Sequence, residues 1–475
     1  MRSFTSWSAA PPHGPAAPQI SYWMQTAGDL APREPLDRSV DVDVAILGAG
    51  YTGLWTALRL LERQPSLRVA ICEAHVAGFG ASGRNGGWCV PSLGVTPREL
   101  ARRTSADTAR RTVEALRRAV DDVGAVCRQQ GVDSEFRKTG VLRIARGPHE
   151  LPALRAGWRA LEDLRLSEGC ALLDAEALAE RVTVHGGAGA IFDPHAATVH
   201  PGKLVRGLAR LVEAAGGVVY ERTPVTFVRP RSANARPALC TAAGDVRADT
   251  VVLAGEAYLS QLPGMRRAVL PLYSLIVLTE PLSDEQWAQI GWAGGESLSS
   301  QRLTVDYLTR TADGRILFGG RGAPYHFGSR ITDAYDRHEP THARLRRSLR
   351  EWFPALDGVG FTHAWGGPLG LPRDWMPVVR LDPAAGVAAA YGYTGQGVAA
   401  AALAGQALAD LITGAASALT QLPMVNHRPR RWEPEPLRWL AARYLQLALA
   451  RVDTRAERTG AAPTGRTLAE RLMRH

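Results

Sequence analysis

The run Val42-Asp-Val-Ala-Ile-Leu-Gly-Ala-Gly-Tyr-Thr-Gly-Leu54 constrains this chain more than any other segment. An apolar strand enters a Gly-x-Gly-x-x-Gly turn, a helical pattern follows, and Glu73 closes a second strand 20 positions after Gly53. Each part has a physical role. Gly48 permits the tight turn, Gly50 lets the backbone approach a pyrophosphate, and Gly53 lets the helix pack closely on the strand. Free N–H groups at the start of the helix face phosphates. Glu73 stands where a carboxylate accepts hydrogen bonds from a ribose 2′-hydroxyl. A glycine turn in an ordinary βα unit has no use for that acid. The unit therefore specifies a dinucleotide site, and Tyr51, Thr52 and Ala74 join its expected contacts.

Which dinucleotide it is must be read elsewhere in the chain. Val387-Ala-Ala-Ala-Tyr-Gly-Tyr-Thr-Gly-Gln-Gly-Val-Ala-Ala-Ala-Ala402 reads as a short strand, a glycine turn and a helix of small residues. The bare start of such a helix carries about half a positive charge. It suits an electron-rich ring that becomes anionic on reduction, as a flavin does at its pyrimidine end. Gly395, Gln396, Gly397 and Val398 are expected to place backbone N–H groups at that end. A second glycine-dense loop, Gly78-Phe-Gly-Ala-Ser-Gly-Arg-Asn-Gly-Gly87, follows the second strand. Its Ser82, Gly83, Arg84, Asn85 and Gly86 are expected beside the isoalloxazine or the pyrophosphate, with plain loop structure as the alternative for Arg84 and Asn85. A nicotinamide that dissociates at each turnover needs neither feature.

Together these motifs resemble the D-amino-acid-oxidase-like flavoproteins. Further matches are His200-Pro-Gly-Lys-Leu-Val-Arg-Gly-Leu208, Val251-Val-Leu-Ala-Gly255, Arg315-Ile-Leu-Phe-Gly-Gly-Arg321 and Trp365-Gly-Gly367. The resemblance spans residues 20–445. Within the family, the SGRNGG loop and the tail Trp432-Glu-Pro-Glu-Pro-Leu-Arg-Trp439 look most like the gamma-glutamylputrescine oxidase group. The resemblance implies an α/β fold, with a Rossmann-like FAD-binding domain of the glutathione-reductase type plus an antiparallel β-sheet substrate domain with flanking helices. It adds Val225 near the adenine, and Ala254, Gly255, Trp365 and Gly366, to the expected cofactor contacts. It also implies non-covalent FAD. Members with covalent flavin use a cysteine in the C-terminal half or an early-loop histidine, whereas no cysteine follows Cys240 and Arg84 occupies the loop.

The implied reaction is amine oxidation. Hydride passes from the carbon next to nitrogen to flavin N5, and the imine becomes an aldehyde or keto product. Oxygen then reoxidises the flavin to give hydrogen peroxide. Some members use a lysine near N5 to favour oxygen. The only lysines here, Lys138 and Lys203, lie outside the residues 256–360 that would supply it, so another electron acceptor stays open. A primary or secondary amine with an acidic tail, such as a gamma-glutamyl polyamine, is the expected substrate. Glycine, sarcosine, a D-amino acid or an aminophosphonate is the alternative.

Composition narrows the classes. With 475 residues, 45% of them hydrophobic, the chain can build two or three domains with large cores. No apolar run approaches the ~20 residues that span a bilayer. The first thirty residues lack a hydrophobic h-region and read as a loose arm. Five cysteines, at 72, 89, 127, 170 and 240, form no CxxC pair, which fits reduced thiols in the cytoplasm. The net charge of +10 is dispersed, as in Arg102-Arg103, Arg346-Arg347 and Arg428 to Arg431, with no basic stripe of interleaved aromatics. That pattern argues against a nucleic-acid partner. The rival it leaves is a tRNA-modifying flavoprotein, whose binding would show steep salt dependence.

The expected organisation is an arm (1–40), a discontinuous FAD-binding domain (41–98, 181–255 and 361–415), a discontinuous substrate domain (99–180 and 256–360) and a C-terminal helix and tail (416–475). Within it, Ser21-Tyr-Trp23 packs on the body, residues 97–130 form a helix, residues 223–227 form a strand, and the end of the chain frays. No acid/base pair is visible, as befits chemistry carried by a cofactor. No metal site is expected, because His195 and His200 have no cysteine partner in sequence and His200 reads as a helix-entry residue. Catalytic or substrate-binding candidates are Trp365, Tyr273, Tyr307 and Arg321. Arg321 is the expected bidentate clamp for a carboxylate or phosphonate, with a surface ion pair as its alternative, and the two tyrosines read otherwise as core aromatics. Asp374 and Pro377 echo a family D-x-x-P, but Pro372 replaces the usual threonine, which alters a pocket floor or only a turn.

Overall fold

Residues 19–322 and 324–472 are described by a computed structural model. The apolar run becomes the strand Val44–Leu47, inside a six-stranded sheet ordered Val378–Asp382, Val387–Tyr391, Thr250–Leu253, Val44–Leu47, Val69–Cys72, Val218–Tyr220. Neighbours are parallel except the first pair. Parallel strands covered on both faces read as unbroken apolar runs, and Val44, Ala45 and Ile46 are buried accordingly. The helices Tyr51–Arg63, Pro201–Ala214 and Gly397–Thr413 pack around this sheet. The third glycine of the turn is needed here, since a Cβ on Gly53 would stand 2.0 Å from Gly48 O.

A second sheet has eight strands, ordered Phe361–Leu371, Leu270–Thr279, Ile316–Arg321, Asp306–Arg310, Ser297–Ser300, Val141–Arg146, Gly187–Asp193, Ala171–Leu173. It is antiparallel except where Ser297–Ser300 runs beside Val141–Arg146. The helix Glu339–Trp352 seals one face through Leu345, Leu349 and Trp352, packed on Leu275, Val277 and Phe318. The opposite face turns towards the six-stranded sheet.

Several elements differ from the sequence-based expectation. Gly187–Asp193 and Phe361–Leu371 fall in stretches expected to build the FAD-binding domain, yet both pair within the eight-stranded sheet. Residue types that form a strand do not name its partner. The strand expected at 223–227 is Val225–Arg229, and it belongs to a separate four-stranded sheet with Val40–Asp41, Asp245–Arg247 and Ala238–Thr241. The helix expected over 97–130 divides in two, because Ser105 accepts the Thr108 N–H and caps a second helix, Ala106–Gln129. The tail ends in an ordered turn of helix, Leu468–Leu472, where the Glu470 carboxylate accepts the N–H groups of Gly465 and Thr467.

The first eighteen residues of the expected arm lie outside the described residues. From Ile20 onward the arm is anchored: Trp23 and Met24 are buried, Ser21 Oγ donates to Gly83 O at 2.5 Å, and Trp23 Nε1 donates to Asn85 O at 2.8 Å. The arm therefore braces the glycine loop. No helix among the described residues is long and apolar enough to cross a membrane, and all five cysteines are free.

Glu221 joins these parts. Its buried carboxylate accepts from Arg206 Nη1 (2.8 Å), Arg33 Nη1 (3.0 Å) and the N–H groups of Ala77 and Arg33 (both 2.8 Å). Arm, loop and helix Pro201–Ala214 thus share one anion. Glu221→Gln leaves Arg206 buried without its counter-charge, an imbalance that costs about 3–5 kcal/mol. Urea unfolding of the variant against the parent measures it, and a loss below about 1 kcal/mol would deny Glu221 this role.

Candidate cofactor and substrate site

Between the two sheets runs a cavity of about 1170 Å³. One end begins at the Gly48 turn. Gly48, Gly50, Tyr51 and Thr52 face it from the turn and helix, and Glu73 and Ala74 from the end of the second strand. Glu73 Oε2 accepts the Ala49 N–H at 2.9 Å and Oε1 accepts that of His75 at 3.0 Å, while burial pushes its carboxyl up to about 7. Val225, Ala254 and Gly255 border the same end.

Helix Tyr51–Arg63 starts at Gly50, which has no side chain to cap it, and Ser82 Oγ takes the Tyr51 N–H at 2.9 Å. A Cβ on Gly50 would approach Ser82 Oγ to 3.0 Å, so the bare turn and the serine define one cradle. Further along, Gly395, Gln396, Gly397 and Val398 bring the start of helix Gly397–Thr413 to the cavity, again without a side-chain cap. Two open helix starts facing one long cavity suit a ligand with negative charge in its middle and an electron-rich ring at one end. The geometry fits FAD.

Not every expected contact reaches the cavity. Gly53 is taken up by the helix–strand contact, and Gly83 packs against Gly78 O and Met24. Trp365 lies in a buried cluster with Tyr22, Trp23, Ile276, Leu278 and Leu317, and its Nε1 donates to Arg84 O at 2.9 Å. Gly366 lends its carbonyl to Arg84 Nη1 at 3.3 Å. Ser82, Arg84, Asn85 and Gly86 do border the cavity. Arg84 nonetheless spends its guanidinium on protein, in a buried ion pair with Asp336 and a 2.6 Å bond to Phe79 O. Asn85 closes its own loop through the Gly87 N–H at 2.9 Å.

The substrate candidates separate in the same way. Tyr307 lines the cavity. Its ring fits between two glycines: a Cβ on Gly86 would meet it at 2.5 Å, and one on Gly319 at 2.1 Å. Trp88 meets it edge-on, centroids 6.0 Å apart. Tyr273 sits behind the wall, 1% exposed, its hydroxyl shared with the backbone of Thr332. Arg321 ends its strand, and its side chain lies outside the described part of the structure. Asp374 is not on the cavity; its carboxylate pairs with His427 Nε2 at 2.6 Å, which makes the D-x-x-P segment a turn.

Several lining residues escaped the sequence reading, among them Glu256, Trp88 and Arg143. Glu256 follows Gly255 in a left-handed conformation (φ 48°), accepts the Tyr393 N–H at 3.1 Å, and is pushed up to about 7 by burial. Trp88 and Arg143 enter from the loop and from the strand Val141–Arg146. A signal for Arg143 existed: it is a charge inside the apolar run Val141 to Ala145. The sequence also hid a neighbour of His195. Cys170, Asp193 and His195 bring ligand-type atoms within 4.8 Å of one another. The Arg117 guanidinium lies 3.8 Å from Cys170 Sγ and puts a positive charge beside the three.

Comparisons with known proteins agree with this geometry. The profile of the DAO family, described as FAD dependent oxidoreductase, matches residues 43–411. Gamma-glutamylputrescine oxidoreductase of Escherichia coli (strain K12) is 32% identical over 416 residues, covering 86% of this chain and 92% of that one. The crystal structure of glycine oxidase from Geobacillus kaustophilus superposes with a TM-score of 0.67 at 21% identity, covering 82% of this chain and 99% of that one. L-Proline dehydrogenase from P. horikoshii shares the fold at a TM-score of 0.64 and 20% identity, covering 83% and 96%. A Rossmann-like sheet with its glycine cradle, a sheet-rich second half and a profile match over most of the length converge: the chain belongs to the DAO family of FAD-dependent oxidoreductases.

Proposed function

We propose that this protein oxidises a small amine with an acidic tail, using FAD held without a covalent bond. The observation that carries the reading is the continuity of the cavity. It passes from the Gly48 cradle, past the open start of helix Gly397–Thr413, onto a sheet face walled by Ile276, Tyr307 and Trp88. When bound, FAD supplies the acceptor for hydride from the carbon beside the amine nitrogen, leaving an imine that water converts to an aldehyde or keto product. The chain's own residues bind, orient and exclude water. Gly50 and Ser82 would hold the pyrophosphate, Glu73 the ribose, and the Gly395–Val398 turn the pyrimidine end. Tyr307 and Trp88 present apolar ring surface beside the reacting carbon, which favours the neutral amine that donates hydride. Reoxidation by oxygen, with release of hydrogen peroxide, is the expected second half of the cycle.

Anaerobic bleaching of the flavin band across a panel of acylated diamines, N-alkyl amino acids, glycine, D-amino acids and aminophosphonates tests this. Rapid bleaching by acylated diamines is expected. Bleaching confined to small amino acids would move the substrate to the glycine and sarcosine class, and no bleaching by any amine would overturn the reading.

Glu73 gives the cofactor site a pH signature. A ribose hydroxyl donates to the ionised carboxylate, so binding favours the deprotonated form. With the group at about 7 in the free protein, FAD affinity should rise as pH increases from about 6 to 8 and level off above that. Glu73→Gln should weaken binding and flatten the profile. Affinity and pH dependence unchanged from the parent would remove Glu73 from the ribose.

A further inference from the structure

We infer that Arg143 is the anion-binding, specificity-determining residue of this cavity, and that the substrate's anionic group lies far from its reacting amine. The inference rests on the amine-oxidising reading of the same cavity and names the substrate class it takes.

Sheet register places Arg143 on the cavity face. Arg143 pairs with Ser299, and the Leu298–Leu308 pairing sets Ser299 opposite Tyr307. Tyr307 pairs with Gly319, and Gly319 with Ile276. Cross-strand partners project from one face, so Ile276, Tyr307, Ser299 and Arg143 form a single row. All four border the cavity.

Charge bookkeeping singles out Arg143 within that row. Arg84 is paired with Asp336, Arg302 is paired with Glu457 at 2.9 Å, and Arg266 is solvent-exposed. Arg143 is partly buried and makes no ion pair among the described residues; its one described hydrogen bond is from Nη2 to Ser92 Oγ at 3.3 Å. Asp193, on the neighbouring strand, accepts the His195 N–H at 3.0 Å. A cation drawn into a cavity without an ion-pair partner has lost hydration that a carboxylate from a ligand restores, and a guanidinium offers that carboxylate two parallel donors. Ser92 and Ser299 add hydroxyls at the same end.

Position supplies the length. The flavin end of the row is marked by Ser274 and Gly367, which border the cavity with Gly395–Val398. Arg143 stands four strands from the strand that carries Ser274, roughly 19 Å at about 4.8 Å per strand. Between them lie the apolar surfaces of Ile276, Tyr307 and Trp88. This is a slot for an amine, a methylene linker and a terminal carboxylate. A free α-amino acid, with both charges on one carbon, does not span it. The half-amide of a dicarboxylic acid with a diamine does.

The experiment uses the FAD-loaded protein and two probes of like length, N-glutarylputrescine (carboxylate tail) and N-hexanoylputrescine (neutral tail), in anaerobic flavin reduction. The parent should bind the glutaryl amine more tightly. Arg143→Gln should weaken its apparent Kd about ten- to a hundredfold, leave the hexanoyl amine, the limiting reduction rate and the FAD content unchanged, and be partly rescued by Arg143→Lys. Equal effects on both amines, or a parent indifferent to the tail, would overturn the assignment. If neither amine reduces the flavin, acylated diamines are not the substrate and the anion site is judged separately, by flavin difference spectra with N-butylglutaramate. Binding lost in Arg143→Gln upholds the site, and no binding to the parent overturns it. Should Arg143→Gln not fold, Arg143→Lys alone carries the comparison through a smaller loss confined to the anionic ligand.

Discussion

A guanidinium buried between a glycine loop and a β-sheet fixes how the two halves of this molecule meet. Arg84 stands in the loop that follows the second nucleotide strand, yet its partners belong to the other half: the Asp336 carboxylate and the carbonyl of Gly366. Its own carbonyl receives the Trp365 indole N–H. Separating two charges buried together would leave each of them uncompensated, at a cost of about 3–5 kcal/mol. The relative placement of loop and sheet is therefore held tightly. The cavity lies along that junction, and its width is set by the same contact. Beside it, Gly86 of the loop and Gly319 of the sheet leave room for the Tyr307 ring, so the loop reaches the substrate end as well.

The cofactor half and the substrate half are specified by different chemistry. Around the dinucleotide, backbone does most of the work: two open helix starts, glycines where a Cβ would collide, and one carboxylate. On the sheet face, the proposed selectivity rests with side chains that project from one row. That division suits a fold that this chain shares with glycine oxidase and with L-proline dehydrogenase at about one-fifth sequence identity to each.

The same division governs what could be read from the sequence. The cradle is local. Gly48, Gly50, Gly53 and Glu73 fall within one βαβ unit, and the late helix start within one short segment, so spacing alone exposed them. The substrate row is non-local. Arg143, Ser299, Tyr307 and Ile276 become neighbours only through strand register, which no spacing rule supplies. Arginines at 84, 143 and 321 look alike as letters. Only burial and partners distinguish the first, which pairs with Asp336, from the second, which faces the cavity without a carboxylate. The assignment of stretches to the two halves differed for a related reason. Nothing local in Gly187–Asp193 or Phe361–Leu371 names a partner, and their long-range pairings placed them in the larger sheet.

The central claim is that this cavity brings the C–H bond beside an amine nitrogen to a flavin. Single-turnover, anaerobic reduction of the bound flavin by N-glutarylputrescine, saturating and deuterated on the carbon beside its free amine, tests it most directly. The account predicts slower bleaching with the deuterated amine than with the unlabelled one. Equal rates would show that breaking this bond does not limit flavin reduction and would contradict the chemistry assigned to the cavity.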